Sequence, residues 1–285
     1  MTMRAVVITG ASTGIGRAIA LRLDQLGFHV FAGVRKESDA ESLRARASQR
    51  LAPVRIDVTD EASIVAASKL VAEKVPDTGL AGLVNNAGTT VPCPVEYLPL
   101  EEFRHQLEVN LTGHLAVVKA FLPLLLRAHG RIVNVTSVGG KVAVPFMAPY
   151  AAGKHGLEGL SDVLRLELGP LGLHVSVIEP GSVTTQMRHK LDRDTKHWLA
   201  RLPVEGRERY GARLEALMTA ISRHAEHGSK PDVVADAAVH ALTSRRPRTR
   251  YAVAAGAKRM IFFRRVLPDR WTDRMLNRTL KVRAT

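Results

Sequence analysis

The sequence predicts an α/β fold: a single doubly wound domain with a parallel sheet flanked by helices, plus a basic helical C-terminal extension. Three observations carry that prediction. Short apolar runs at 5–9, 28–34, 53–56, 80–84, 130–135 and 173–178 alternate with longer segments of helical periodicity. That is the rhythm of βαβ units whose sheet is covered on both faces. The 285 residues, 46% of them hydrophobic, suffice for one large core. Finally, the first run, Arg4 to Thr9, leads into a glycine-rich turn and a helical pattern from Arg17 to Leu26.

That first turn reads Gly10-Ala-Ser12-Thr13-Gly14-Ile15-Gly16. A strand, a glycine turn and a helix start form a dinucleotide cradle, because backbone N–H groups and the helix dipole face the pyrophosphate. The spacing G-x-x-x-G-x-G differs from the commoner G-x-G-x-x-G, and the loop alone also reads as an ordinary βα turn. The second run ends at Val34, followed by Arg35 and Lys36; Asp57-Val58 follow the third. The fourth ends in Asn85-Asn86-Ala87-Gly88, and the fifth, Ile132 to Ser137, ends in hydroxyls. Ligands of open parallel sheets sit beyond the carboxyl ends of the strands. Thr9, Asn86 and Ser137 therefore converge on one crevice.

Tyr150 and Lys154 follow, four residues apart inside a helical pattern, so both project onto one face, one turn apart. An ammonium beside a phenol favours the phenolate and lowers its pKa, giving an acid/base group for neutral pH. Ser137 lies 13 residues before Tyr150 and 27 after Asn110.

Thr9-Gly10-x-x-x-Gly14-x-Gly16, Asn85-Asn86-Ala87-Gly88, Asn110, Ser137, Tyr150-x-x-x-Lys154 and Pro180-Gly181, in that order, resemble the marks of the short-chain dehydrogenase/reductase family. The likeness runs from about residue 3 to 185. Gly27 to Gly33, Glu108-Val-Asn-Leu, Gly130-Arg-Ile-Val-Asn-Val and Glu158-Gly-Leu-Ser-Asp-x-Leu-Arg are similar to its retinol and 17β-hydroxysteroid dehydrogenase branch. The resemblance implies a Rossmann-like domain, a homodimer or homotetramer, and hydride transfer between nicotinamide and an alcohol or ketone. It assigns the cofactor to Gly10, Ser12, Thr13, Gly14, Ile15, Gly16, Asn86, Ala87, Gly88, Pro180 and Gly181, with Asp57 and Val58 at the adenine. It implies that Lys154 binds the nicotinamide ribose and that Tyr150 exchanges the proton. Ser137 would hold the substrate oxygen, and Asn110 a water linking Lys154 to solvent. Thr136 is the nearest competitor for the hydroxyl role. A non-catalytic dinucleotide-binding redox sensor is the alternative, though it has no need of all four residues.

NAD enzymes place an acidic residue at the end of the second strand to bind the ribose hydroxyls. Here Val34 stands there and Arg35 follows; a guanidinium suits a 2′-phosphate. NADP(H) is therefore favoured. NAD(H) stays open, because Glu37 or Asp39 could reach the ribose, and Thr13 stands where many NADP enzymes carry a basic residue.

The boundaries read from sequence are 1–244 for the catalytic domain, with a substrate-covering lid at 182–229, and 245–285 for the extension. The lid carries Trp198, Leu199, Leu202, Tyr210, Leu214, Leu217 and Met218, which suits a lipophilic substrate or simply packs the lid down. The extension holds 13 Lys/Arg against 2 Asp/Glu, net +11 of the chain's +14, interleaved with Phe262, Phe263 and Trp271. That pattern fits an anionic membrane surface; equally, its apolar groups could pack on the pocket or a subunit interface. No nucleic-acid motif accompanies the charge. One cysteine, Cys93, excludes an internal disulfide. The histidines show no metal-ligand spacing. With no signal peptide and no apolar run long enough to span a bilayer, the expected location is cytoplasmic, peripheral to a membrane if the extension anchors.

Overall fold

The computed structural model describes residues 4–75, 77–185 and 187–279. Seven parallel strands form one sheet in the order β3-β2-β1-β4-β5-β6-β7. They are β1 (Ala5–Ile8), β2 (His29–Val34), β3 (Leu51–Arg55), β4 (Gly82–Asn85), β5 (Arg131–Val135), β6 (His174–Pro180) and β7 (Arg250–Val253). The first six lie on the runs expected from sequence. β3 contains Pro53, which donates no ladder hydrogen bond; as an edge strand, paired only to β2, it tolerates that loss.

The helices are α1 (Gly14–Gln25), α2 (Glu37–Arg44), α3 (Glu61–Lys74), α4 (Leu100–Leu107), α5 (Gly113–Arg127), α6 (Ala148–Leu168) and α7 (Met187–Arg201). The one-turn α8 (Val204–Gly206), α9 (Ala212–Glu226), α10 (Asp232–Thr243), α11 (Ala257–Val266) and α12 (Asp269–Thr279) follow. The alternation along β1 sorts the core. Val6 and Ile8 join Ile19, Leu23 and Phe28, covered by α1 and α10. Ala5 and Val7 face the other way, toward Ile64, Val117, Phe121 and Leu164 of α3, α5 and α6. Each such large side chain, fully buried, contributes about 1.5–3 kcal/mol.

Two expectations need correction. β7 lies inside the segment read as a basic helical extension, so the sheet takes in Arg250–Val253. Four residues at the end of an arginine-rich stretch gave too short an alternation to read as a strand; pairing with β6, Ile178 opposite Tyr251, decides it. Second, α4 and α5 join through a π turn (Glu108–Thr112) into a helix of 28 residues, Leu100–Arg127, long and apolar enough by composition to cross a membrane. Its apolar face is instead domain core, with Val117, Phe121 and Leu125 fully buried.

Candidate active site

The strand order reverses direction between β1 and β4, and a cleft opens above their carboxyl ends. Gly10 and Gly14 hold left-handed backbone, φ +64° and +55°, which favours glycine. A methyl group on Gly10 would lie 2.8 Å from Ala87 Cα, and one on Gly16 would collide with the Gly10 carbonyl and the Asn86 amide. Thr13, the N-cap of α1, makes no side-chain hydrogen bond to the first turn. The helix thus presents uncapped N–H groups and its positive end, a ready anion site. Thr9 braces this loop: its Oγ1 accepts from the Asn86 and Ala87 N–H groups at 3.0 and 3.1 Å. Asn86 Nδ2 donates to the Thr9 and Gly10 carbonyls. Asn86 therefore spends its amide on the loop's shape.

The cleft encloses about 450 Å³. The glycine turn lines it together with Arg35 at the end of β2, Asp57 and Val58 after β3, Asn86 to Gly88 after β4, and Tyr150 and Lys154 on α6. A cavity floored by glycine backbone and an uncapped helix start fits a dinucleotide. Among the sequence-derived candidates, Asn110, Ser137, Pro180 and Gly181 do not line it. Pro180 ends β6, and Gly181 donates to the Val253 carbonyl at 2.9 Å, joining β6 to β7.

Tyr150 and Lys154 share one face of α6, which Ala148–Leu168 forms with Pro149 in its first turn. Lys154 is buried, and its Nζ donates to the Val135 carbonyl at 2.9 Å. Burial lowers its pKa to about 8, with the Glu158 charge opposing. Burial also pushes the Tyr150 phenol above its ordinary value, against a Ser137 hydrogen bond that lowers it. The structure thus differs in sign from the lowered Tyr150 pKa expected beside Lys154. Desolvation favours the neutral phenol and is the larger effect, outweighing the Ser137 hydrogen bond. Ser137 opens the turn Val138–Gly140, where its Oγ accepts from Gly139 N–H at 3.0 Å. A methyl on Gly139 would come within 2.9 Å of the Tyr150 ring and 3.4 Å of Ser137 Oγ, so this turn is pressed against Tyr150. Thr136, the competing hydroxyl, is committed to Glu158 at 2.7 Å.

Asn110 sits in the π turn, wholly buried, and pairs with both Thr89 main-chain groups: Nδ2 to O at 2.9 Å and N–H to Oδ1 at 3.0 Å. Gly88 lies between it and the lysine, since a methyl there would be 3.3 Å from Asn110 Oδ1 and 3.7 Å from Lys154 Nζ. The single thiol is excluded from the chemistry: Cys93 is buried, and burial raises its pKa to about 12.

Sequence reasoning missed several residues at the cleft. Thr185, four residues beyond Gly181, lines the cleft beside Gly14, where an added methyl would lie 3.3 Å from Thr185 Cγ2. Lys190 and Arg193 reach the cleft from α7. Lys190 Nζ donates to the Thr90 carbonyl at 3.0 Å and pairs with Asp194 at 2.8 Å, tying α7 to the loop after β4. No residue type announces these contacts; only the fold of α7 over the sheet makes them. Over Tyr150 lies an apolar cluster of Phe146, Met147, Leu191, Leu214, Leu217 and Met218, with Leu199 and Tyr210 packed against it. Phe146 adopts φ +64°, a strained backbone for a bulky residue.

The short chain dehydrogenase family model matches residues 4–196. The chain belongs to this family. It is an oxidoreductase acting on CH–OH groups, in the retinol and hydroxysteroid dehydrogenase branch. Retinol dehydrogenase 5 of Mus musculus is 40% identical over 277 residues, covering 95% of this chain and 87% of that protein. 17-beta-hydroxysteroid dehydrogenase type 6 of Homo sapiens is 40% identical over 280 residues, covering 96% and 88%. Among solved structures, a short-chain dehydrogenase from Streptomyces avermitilis superposes with a TM-score of 0.77 at 25% identity, covering 99% of this chain and 97% of that one. A short chain dehydrogenase from Burkholderia cenocepacia in complex with NADP gives 0.71 at 25% identity, covering 98% of each.

Proposed function

We propose that this short-chain dehydrogenase interconverts a secondary or lipophilic alcohol, of retinoid or steroid type, and its carbonyl compound, using NADP(H). One observation carries the reading: Tyr150 stands between a glycine-floored dinucleotide cleft and an apolar lid cluster. The two 40% identical relatives named for retinol and 17-beta-hydroxysteroids support the substrate class. Arg35 at the cleft, with Val34 in place of a carboxylate, supports NADP. Asp39 also lines the cleft and keeps NAD as the competing cofactor.

When bound, the nicotinamide supplies or accepts the hydride. The glycine turn and the α1 start would hold the pyrophosphate, Arg35 the 2′-phosphate, Asp57 and Val58 the adenine side, and Lys154 the nicotinamide ribose. Tyr150 gives its phenolic proton to the carbonyl oxygen in reduction and takes it from the alcohol in oxidation. Ser137 hydrogen-bonds that oxygen as charge develops. Asn110, fixed by Thr89 beside Lys154, positions water for proton exit. The lid cluster excludes bulk water from the reacting carbon.

The same reading makes the enzyme a homodimer or homotetramer, peripheral to an anionic membrane through α11 and α12. A panel of retinoid, steroid and aliphatic alcohols, run with NADP and NAD, tests it. Turnover confined to short aliphatic alcohols would overturn the substrate class, and preference for NAD the cofactor.

A further inference from the structure

Four side chains of α6 fall at successive i, i+4 positions: Tyr150, Lys154, Glu158 and Asp162. The first two face the cleft. The other two meet a partly buried group of ions gathered from three other parts of the fold. Glu158 is 4% exposed. Its Oε1 accepts from Thr136 Oγ1 at 2.7 Å, at the end of β5. Its Oε2 lies 2.8 Å from Lys141 Nζ, just past the Ser137 turn, and 3.0 Å from Arg250 Nη2 on β7. Arg250 also grips Asp162 through both terminal nitrogens, at 3.0 and 2.9 Å. Glu179 of β6 closes the group, 3.4 Å from Arg250 and 3.7 Å from Lys141.

The Ser137 turn is held against this stripe at close range. A methyl on Gly140 would come within 2.9 Å of the Lys154 carbonyl and 3.2 Å of Glu158 Cγ. Thr136 and Lys141 bracket the turn, and both are bound to one carboxylate. Burying a charge this deeply is costly without partners; both Glu158 oxygens have them, whereas Glu179 Oε1 makes ion-pair contacts without a hydrogen bond. Resting on the oxidoreductase reading, we propose that Glu158 is a positioning residue: it clamps the Ser137 turn onto the Tyr150–Lys154 face of α6 and sets the electrostatic field at the Lys154 ammonium. β7, through Arg250, thereby becomes part of the support for the active site.

The charged groups around Glu158 fix the sign of the test. On α6 they are Lys154 and Asp162, the latter also paired with Arg165. From outside α6 come Lys141, Glu179 and Arg250, while His114 faces Lys154 from α5. The Glu158 charge raises the Lys154 pKa against the burial that lowers it. Glu158→Gln keeps the volume and the acceptor for Thr136 but removes the charge, so the Lys154 titration should move down by about one pH unit. Lys141→Gln removes a cation beside Glu158 and should move it up by a similar amount.

Competitive acetylation of Lys154 with acetic anhydride across pH, quantified by mass spectrometry on the full chain, reads that midpoint without requiring turnover. Opposite shifts in the two variants, with the alkaline limb of the kcat/KM profile for NADPH-dependent reduction moving the same way, support the proposal. An unmoved midpoint, or shifts of the same sign, overturns it. If Glu158→Gln does not fold, Lys141→Gln alone decides: a rise supports the role and no rise ends it. A wild type without NAD(P)H turnover on any alcohol or ketone would sink the oxidoreductase reading and leave the Lys154 titration readable.

Discussion

Lys154 Nζ donates to the Val135 main-chain carbonyl at 2.9 Å, fixing the ammonium to the end of β5. α6 and β5 are separate in sequence, and this bond joins them beside the cleft. Burial raises the Tyr150 phenol above its ordinary value, against a hydrogen bond from Ser137 that lowers it.

Tyr150→Phe removes only the transferable proton. It should lower kcat by several orders of magnitude and leave cofactor affinity within a factor of about three. In the wild type, oxidation needs the phenolate and should quicken as pH rises. Reduction uses the phenol and should fall above about pH 8, as Lys154 loses its charge. Initial rates in both directions from pH 6 to 10 check this.

Arg35→Ala should weaken NADPH roughly ten- to a hundredfold, the loss of a charge-assisted phosphate contact of about 1.5–3 kcal/mol. NADH affinity should barely change. Titrations of nicotinamide fluorescence with both cofactors decide the matter; equal losses would place Arg35 outside phosphate recognition.

Thr9→Val leaves the Asn86 and Ala87 N–H groups without their acceptor beneath the glycine loop. With Thr9 fully buried, the loss should be about 2–4 kcal/mol of stability, with weakened cofactor binding. Thr9→Ser keeps the oxygen and should recover most of it. Denaturant unfolding of the three proteins measures the difference.

His114 is buried beside Lys154 with Nε2 2.7 Å from the Ala87 carbonyl. Burial lowers its pKa from 6.5 to about 3. The unfolded chain therefore binds a proton that the folded one refuses between those values. Stability from this group is complete above pH 6.5 and lost as pH falls, on the order of 2 kcal/mol by pH 5. His114→Gln should flatten that acid limb in melts recorded from pH 4 to 8.

On the extension, Phe262 and Trp271 are 59% and 60% exposed. Lys258, Arg259, Arg264 and Arg265 on α11, and Arg270 and Arg274 on α12, are also exposed. Phe263 is half-buried and packs edge-to-face on Phe262. If this surface meets membrane, the protein should sediment with anionic vesicles at low salt and release as salt rises. Phe262→Ser/Trp271→Ser should abolish sedimentation without lowering the melting temperature. A wild type that ignores vesicles at low salt would end the membrane reading.

The sequence by itself determined the first six runs of the sheet, five of them inner strands, because buried parallel strands must be continuously apolar. It also fixed the glycine turn, where backbone must approach backbone, and the Tyr150–Lys154 pair, where helical period puts both on one face. What it could not decide depended on partners distant in the chain. Arg250–Val253 is a strand only because β6 offers an edge. Thr185, from the segment after β6, and Lys190 and Arg193, from α7, join the cleft only because the chain folds back over it. The Tyr150 pKa rose where a neighbouring cation suggested a fall, because desolvation belongs to the assembled interior and no local spacing records it. Glu158 read as one letter of a helical motif. Its place at the centre of Thr136, Lys141 and Arg250 exists only once β5, the Ser137 turn and β7 close around α6.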